Sequence, residues 1–135
     1  KILINYKDDT LNIDGEGKIF IDDKEDVFDY KIIKKNDQYT FNTNFKINKN
    51  PLLIDFLQFK KKKDLPSHLK LNGTYKKNKE IEFSLIFFDE NNNNFIIKNL
   101  YLNSKFKILD IKVMKLNYIN NRNIKNKINL KKNKN

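Results

Sequence analysis

The segment Tyr39-Thr40-Phe41-Asn42-Thr43-Asn44-Phe45-Lys46-Ile47 decides the fold class of this 135-residue chain. Its odd-numbered positions hold aromatic residues, Thr and Ile, whereas Thr, Asn and Lys fill the even-numbered ones. Successive side chains of a β-strand point to opposite faces of a sheet. The alternation therefore predicts a strand with one apolar and one polar face.

The same alternation recurs along the chain, and short clusters of Asn, Lys and Asp separate the repeats. This spacing predicts hairpins joined in sequence order. We therefore expect an all-β, mostly antiparallel meander that forms a curved sheet or half-barrel groove. The further predicted strands are Ile2–Tyr6, Leu11–Ile21, Val27–Ile33, Ser67–Tyr75, Ile81–Phe88, Phe95–Leu102 and Phe106–Val113, with a weaker region at Leu116–Leu130.

Two places in the sequence depart from plain alternation. Gly15 and Gly17 occupy alternate positions that otherwise hold apolar residues in their strand. Glycine at such positions predicts a bulge, a bend or a close approach of the backbone. Asn50-Pro51 breaks the pattern, because proline cannot donate a ladder hydrogen bond. The following segment, Leu52–Phe59, fits either a short helix or a strand.

The domain organisation predicted from the sequence is one β-sheet segment at residues 1–125 and a frayed, lysine- and asparagine-rich tail at 126–135. Lys1 is not preceded by Met, and Ile2-Leu3-Ile4 already has strand character. We therefore expect an internal piece of a longer protein. The longest apolar run, Leu85–Phe88, is far shorter than the ~18 residues that a membrane-spanning helix needs.

The net charge of +11 comes almost wholly from lysine, since Arg122 is the only arginine. Arginine is the preferred residue for recognising phosphate and base edges. The aromatic residues occupy the same alternate strand positions as Leu and Ile, so the lysines are expected on the opposite face of the sheet. Bases stacked on the aromatic rings and phosphates bound by the lysines would then lie on different faces of the sheet. No nucleic-acid partner is therefore expected.

The sequence offers no plausible catalytic set. His68 is the only histidine, cysteine is absent, and no serine lies in a Gly-x-Ser-x-Gly motif. The acidic cluster Asp22–Asp26 lacks the spacing of a calcium loop and is interpreted as a solvated turn. Lys60–Lys63 is interpreted as a solvated loop, with anionic headgroups as the alternative ligand. We expect no enzyme activity, no metal and no cofactor.

Three stretches carry a family resemblance, namely Leu11-Asn12-Ile13-Asp14-Gly15-Glu16-Gly17-Lys18-Ile19-Phe20-Ile21, Phe28-Asp29-Tyr30-Lys31-Ile32 and Leu69-Lys70-Leu71-Asn72-Gly73-Thr74-Tyr75. Their paired glycines and strand cadence resemble the AsmA-like proteins, in particular the YhdP-type branch, over residues 11–118. The resemblance implies a periplasmic protein that is anchored in the inner membrane through a segment outside this one. It also implies a curled sheet whose apolar groove passes phospholipid between the inner and outer membranes and supports outer-membrane integrity.

On that resemblance, phospholipid acyl chains are the expected partner, and the apolar residues at alternate strand positions are expected to line the groove. Each groove residue fits the packed core of a β-sandwich almost as well, so a protein-interaction sandwich stays open, as does a basic nucleic-acid-binding β domain. The expected groove residues are Leu11, Ile13, Ile19, Ile21, Phe28, Tyr30, Ile32, Phe41, Phe45, Ile47, Leu69, Leu71, Tyr75, Ile81, Phe83, Leu85 and Phe87.

Overall fold

A computed structural model of the chain describes residues 1–133, which form eleven β-strands and one short 3-10 turn. The turn, Asp55–Leu57, is the only helical segment there, and no helix in residues 1–133 has the length and apolarity of a membrane span. The strands are β1 (Ile2–Lys7), β2 (Thr10–Phe20), β3 (Glu25–Lys35), β4 (Gln38–Lys46), β5 (Leu52–Ile54), β6 (Phe59–Lys61), β7 (His68–Lys76), β8 (Glu80–Glu90), β9 (Asn93–Asn103), β10 (Ile108–Ile119) and β11 (Lys125–Lys131).

Nine of these strands form one antiparallel sheet in the order β1-β2-β3-β4-β7-β8-β9-β10-β11. The order follows the chain apart from the β5–β6 hairpin, which lies between β4 and β7, so the predicted meander is confirmed. Asn and Asp tolerate the left-handed backbone region and suit tight turns. Asn36, Asn78 and Asn91 adopt positive φ angles of 54°, 59° and 49° in the turns before β4, β8 and β9. Within residues 1–133 the sheet does not close on itself, and β1 and β11 are its two edges.

The ambiguous segment after Pro51 forms a small hairpin, in which β5 and β6 flank the 3-10 turn. Neither a continuous helix nor a continuous strand is present. Gln58 ends the turn in the left-handed conformation, with a φ of 51°. This conformation turns the chain back, so that Leu52 pairs with Lys61.

The C-terminal segment corrects the predicted tail boundary at residue 125. Residues 125–131 form β11, because Ile128 and Leu130 pair with Leu116 and Met114 and so extend the apolar side of the sheet. Residues 132 and 133 follow without regular structure. Residues 134 and 135 of the predicted tail lie outside the described part.

The core forms where the β5–β6 hairpin meets β8, β9 and β10. Phe59 is 1% exposed and contacts Phe88, Phe95 and Tyr118 edge to face, at centroid distances of 5.6, 5.2 and 5.9 Å. Leu116 completes this buried cluster. The Tyr118 hydroxyl donates to the Leu57 carbonyl at 3.0 Å, which satisfies the buried phenol. The hairpin is therefore held on one end of the sheet by aromatic packing.

Candidate functional site

One face of the nine-stranded sheet carries apolar side chains from edge to edge, and we call it the apolar face. Residues paired directly across antiparallel strands point to the same side of a sheet. One row of paired residues contains Ile4, Ile13, Ile32, Phe41, Gly73, Phe83, Leu100 and Ile111. A second contains Ile2, Gly15, Tyr30, Thr43, Leu71, Ile86, Ile97, Met114 and Leu130, and a third Gly17, Phe28, Phe45, Leu69, Phe88, Phe95, Leu116 and Ile128.

Most of the expected groove residues lie on the apolar face and are half-buried. Ile21 lies just beyond β2 and is 40% exposed, whereas Ile47 directly follows β4 and is 2% exposed. The half-buried members on this face are Leu11, Ile13, Ile19, Phe28, Tyr30, Ile32, Phe41, Phe45, Leu69, Leu71, Tyr75, Ile81 and Phe83.

The expectation that all groove residues share one face is wrong for Leu85 and Phe87. The register between β7 and β8 shifts between Asn72 and Gly73. Phe83 pairs with Gly73 on the apolar face, but Leu85 pairs with Asn72, and Phe87 with Lys70, on the opposite face. A bulge inserts one extra residue and reverses the parity beyond it. Ile86 and Phe88 consequently occupy the apolar face instead.

Several residues of this face are absent from the expected set. β1 contributes Ile2, Ile4 and Tyr6, which pair with Gly15, Ile13 and Leu11. β9 and β10 contribute Ile97 and Met114. The alternation of Ile2, Ile4 and Tyr6 was a usable signal for β1. The face on which the Ile86 side chain lies depends on the bulge in β8, so it could not be predicted from the alternation of the sequence.

The two glycines of β2 make room for aromatic rings from β3. A Cβ added at Gly17 would lie 2.6 Å from ring atoms of Phe28, and one added at Gly15 would collide with the Tyr30 ring. Both glycines pair in unbroken register with β3, so neither marks a bulge or a bend. The glycines instead let the two rings lie flat across β2.

The rings that cover β2 belong to the open part of the apolar face, which we define as Phe28, Tyr30, Ile32, Phe41, Phe45, Leu71 and Phe83. Phe28 stacks on Tyr30 and Phe45 at centroid distances of 5.7 and 5.3 Å. Phe41 meets Phe83 edge to face at 5.8 Å. These contacts form two groups of rings within the open part, and Ile32 and Leu71 are its aliphatic members.

Within residues 1–133 the β5–β6 hairpin is the only strand pair outside the nine-stranded sheet, and the cluster that it packs against includes no residue of the open part. The accessible surface of the chain is 9612 Å². A compact monomer of 16.3 kDa is expected to expose about 7,500 Å². The excess, roughly 2,000 Å², is more than one partner contributes to a standard protein–protein interface.

A buried polar cluster attaches the loop before the hairpin to β3. Asp26 accepts hydrogen bonds from the backbone N–H groups of Asn48, Lys49 and Asn50, each at 3.0 Å, and from the Asn50 amide at 2.8 Å. Burial pushes the pKa of Asp26 up, but these hydrogen bonds outweigh it and hold the pKa below its usual value. We call Asp26 and Asn50, together with Lys61, the polar clasp.

Lys61 brings the hairpin into the polar clasp. It is fully buried, and its Nζ donates to the carbonyls of Asn50 at 2.6 Å and Lys62 at 3.0 Å. Burial lowers its pKa, although the charges of Asp26 and Glu90 oppose this shift. Neither Asp26 nor Lys61 is solvated, so the interpretations of the acidic cluster and of the lysine run are wrong for these two residues.

The opposite face of the sheet is mainly polar. Two shallow depressions on it, of about 410 and 430 Å³, are lined by residues such as Glu16, Asp29, Lys31 and Lys46. Their charges are of both signs, so no ligand class follows from them. On the apolar face, Lys34 lies at the margin away from the hairpin, with its Nζ 5.6 Å from the centre of the Tyr39 ring.

No known protein family, curated protein or solved structure matches the chain.

Proposed function

We propose that this chain is a segment of an AsmA-like envelope protein that provides an apolar β-surface for phospholipid passage between the inner and outer membranes. On this proposal the chain lies in the periplasm, is anchored through another segment and performs no catalysis. The family resemblance of residues 11–118 supplies the biological setting. The observation that carries the proposal is the open part of the apolar face, an aromatic-rich surface that the β5–β6 hairpin does not cover within residues 1–133.

The dimensions of the sheet suit a hydrocarbon ligand. The open part lies on four neighbouring strands, β3, β4, β7 and β8, which at a spacing of about 4.8 Å make it roughly 14 Å wide across the strands. One leaflet of the hydrocarbon core of a bilayer is about 15 Å thick, so the open part is about as wide as one acyl chain is long. Exposing a sixteen-carbon tail to water costs roughly 12 kcal/mol, at about 0.8 kcal/mol per CH₂. Successive rows of similar apolar character make neighbouring tail positions nearly equal in energy.

Polar groups at the margins of the apolar face fit the headgroup of such a lipid. Lys34 stands at one margin over the Tyr39 ring and is placed to meet a phosphate. The opposite margin is occupied at β8–β10 by the β5–β6 hairpin and its aromatic cluster. Tails would therefore lie over the open part, with headgroups toward the Lys34 margin.

Photocrosslinking from the two faces tests this proposal. A photoreactive amino acid replaces Leu71 on the apolar face in one variant, and its neighbour Lys70 on the opposite face in the other. Each variant is exported to the periplasm of a Gram-negative host, irradiated and analysed by mass spectrometry for phospholipid adducts. We expect adducts from position 71 well above those from position 70. Equal yields from both positions, or a larger yield from position 70, would contradict the proposal.

A binding assay separates lipid contact from contact with another protein. Vesicles of phosphatidylethanolamine and phosphatidylglycerol that contain a fluorescent-acyl phospholipid are mixed with the purified chain. We expect transfer of the probe to the protein and loss of that transfer in Leu71→Glu, with Lys70→Glu as the matched control. Protein adducts at position 71 without probe transfer would instead support the protein-interaction alternative.

A further inference from the structure

The first strand of the sheet is an open edge on which another strand fits. β1 pairs only with β2 among the strands of residues 1–133. The Glu16 N–H donates to the Lys1 carbonyl at 3.0 Å, and hydrogen-bonded and non-hydrogen-bonded pairs alternate along an antiparallel ladder. The backbone groups of Ile2, Ile4 and Tyr6 therefore point away from β2, toward the open edge.

β1 lacks the features that usually protect an edge strand. Such strands carry lysines, prolines, bulges or inward-pointing charges. β1 has an unbroken register with β2, and its apolar side chains Ile2, Ile4 and Tyr6 are 61%, 68% and 67% exposed. Its only lysine is Lys7, at the end of the strand.

The other edge of the sheet is protected. In β11 the Lys132 N–H donates to the Lys112 carbonyl at 2.9 Å, so the same alternation points the backbone groups of Lys127, Asn129 and Lys131 outward. Three of the seven residues of β11 are lysines. The two edges therefore differ in their readiness to accept a strand.

We propose that β1 is the pairing edge for a second copy of this chain, with the two β1 strands antiparallel about a two-fold axis at Ile4. In this register Ile4 faces Ile4 of the second copy, and Ile2 faces its Tyr6. All three outward-pointing residues of each strand then meet, and each facing pair exchanges two backbone hydrogen bonds. The apolar side chains match in the same register, so β1 is complementary to itself.

Charge and geometry agree with this register. Lys1 of one copy faces Lys7 of the other, and this repulsion is offset by Asp8 and Asp9 in the turn that follows Lys7. A two-fold axis perpendicular to the sheet keeps both apolar faces on the same side. The row through Ile4 and Ile13 would then continue into the second copy. The pairing needs no lipid, so it can fail or succeed independently of the proposed lipid function.

Sedimentation of the purified chain over a dilution series is the first test. We expect a reversible dimer, because the interface is short. Ile4→Pro removes only an outward N–H and leaves the β1–β2 ladder intact, since proline is tolerated where the N–H faces solvent. It should weaken dimerisation at least about tenfold, because each copy loses a backbone hydrogen bond at the centre of the interface. Asn129→Pro on β11 is the matched control and should leave the dimer unchanged.

Cysteine crosslinking is the second test, and it is clean because the chain has no native cysteine. Ile4→Cys should form a disulfide-linked dimer under mild oxidation, whereas Asn129→Cys should form little. If Ile4→Pro fails to fold, Ile4→Lys replaces it as the test variant, because an exposed lysine on an edge strand also disfavours pairing with another strand. A chain that stays monomeric at every concentration, with equal crosslinking at positions 4 and 129, would overturn the proposal. A dimer that persists in folded Ile4→Pro and Ile4→Lys would overturn it equally.

Discussion

Phe59 and Phe95 meet edge to face, with ring centroids 5.2 Å apart and an interplanar angle of 88°. The contact joins the β5–β6 hairpin to the centre of the buried cluster. Phe59→Ala should lower the free energy of unfolding by about 3–5 kcal/mol, because it leaves a cavity among three aromatic rings. Urea denaturation followed by circular dichroism measures this loss.

The same hairpin supplies the control for that measurement. Phe56 lies in the 3-10 turn and is 84% exposed. Phe56→Ala should change the free energy of unfolding by no more than about 0.5 kcal/mol. Similar losses in the two variants would mean that the hairpin is not anchored through Phe59.

The polar clasp should make stability depend on pH in the acid range. Hydrogen bonds outweigh burial and hold the pKa of Asp26 below its usual value. The stabilisation is therefore complete above the unfolded aspartate pKa of about 3.9 and is lost as pH falls through the lower, folded pKa. At neutral pH, Asp26→Asn should cost roughly 3 kcal/mol, because hydrogen bonds to a buried charge are lost.

The pH series distinguishes this role from a general packing effect. Below about pH 4 the difference in stability between the wild type and Asp26→Asn should shrink, because the wild-type carboxylate becomes protonated as well. Asp23→Asn, an exposed neighbour, should match the wild type throughout. A difference that stays constant down to the folded pKa and below would exclude the charge of Asp26 as its source.

Two glycines should respond differently to alanine. At Gly17 the added Cβ meets the Phe28 ring, which can shift, and we expect a loss of about 1–3 kcal/mol. At Gly73 the added Cβ collides with the Glu82 carbonyl oxygen, a backbone atom of the neighbouring strand. Gly73→Ala should therefore be the more destabilising variant in thermal unfolding.

A double-mutant cycle checks the mechanism at Gly17. Phe28→Leu removes the ring that covers this glycine, so Gly17→Ala should cost less in that background than in the wild type. Additive effects of the two substitutions would show that Phe28 is not what excludes a side chain at position 17. The result would also separate ring contact from a backbone requirement for glycine.

The fold was predictable because strand alternation is a local property of the sequence. Tyr39–Ile47 shows it without interruption, and β4 follows that pattern. What the sequence did not show depends on contacts between distant residues. Asp26 is buried because it accepts hydrogen bonds from residues 48–50, more than twenty positions along the chain. Nothing local distinguishes it from the exposed Asp22 and Asp23.

The face of each side chain was predictable only as far as the first bulge. The extra residue in β8 places Leu85 and Phe87 on the opposite face, although their parity matches that of Phe83. A bulge is fixed by pairing with the neighbouring strand, and here that strand presents Gly73. Ile128 and Leu130 belong both to the weak strand region Leu116–Leu130 and to the predicted tail, and only their pairing with Leu116 and Met114 of β10 decides between the two.

Polar substitutions within the apolar face should separate its open part from its core. Leu116 is 4% exposed, and Leu116→Gln should cost roughly 3 kcal/mol or more, because a buried side chain is replaced by an unpaired amide. Leu71 is half-buried with no layer above it, so Leu71→Gln should cost about 1 kcal/mol or less in the lipid-free chain. Urea unfolding of the two variants provides the comparison. Equal, large losses would indicate that the face is a closed core, as in the β-sandwich alternative, and would remove the surface on which lipid is proposed to move.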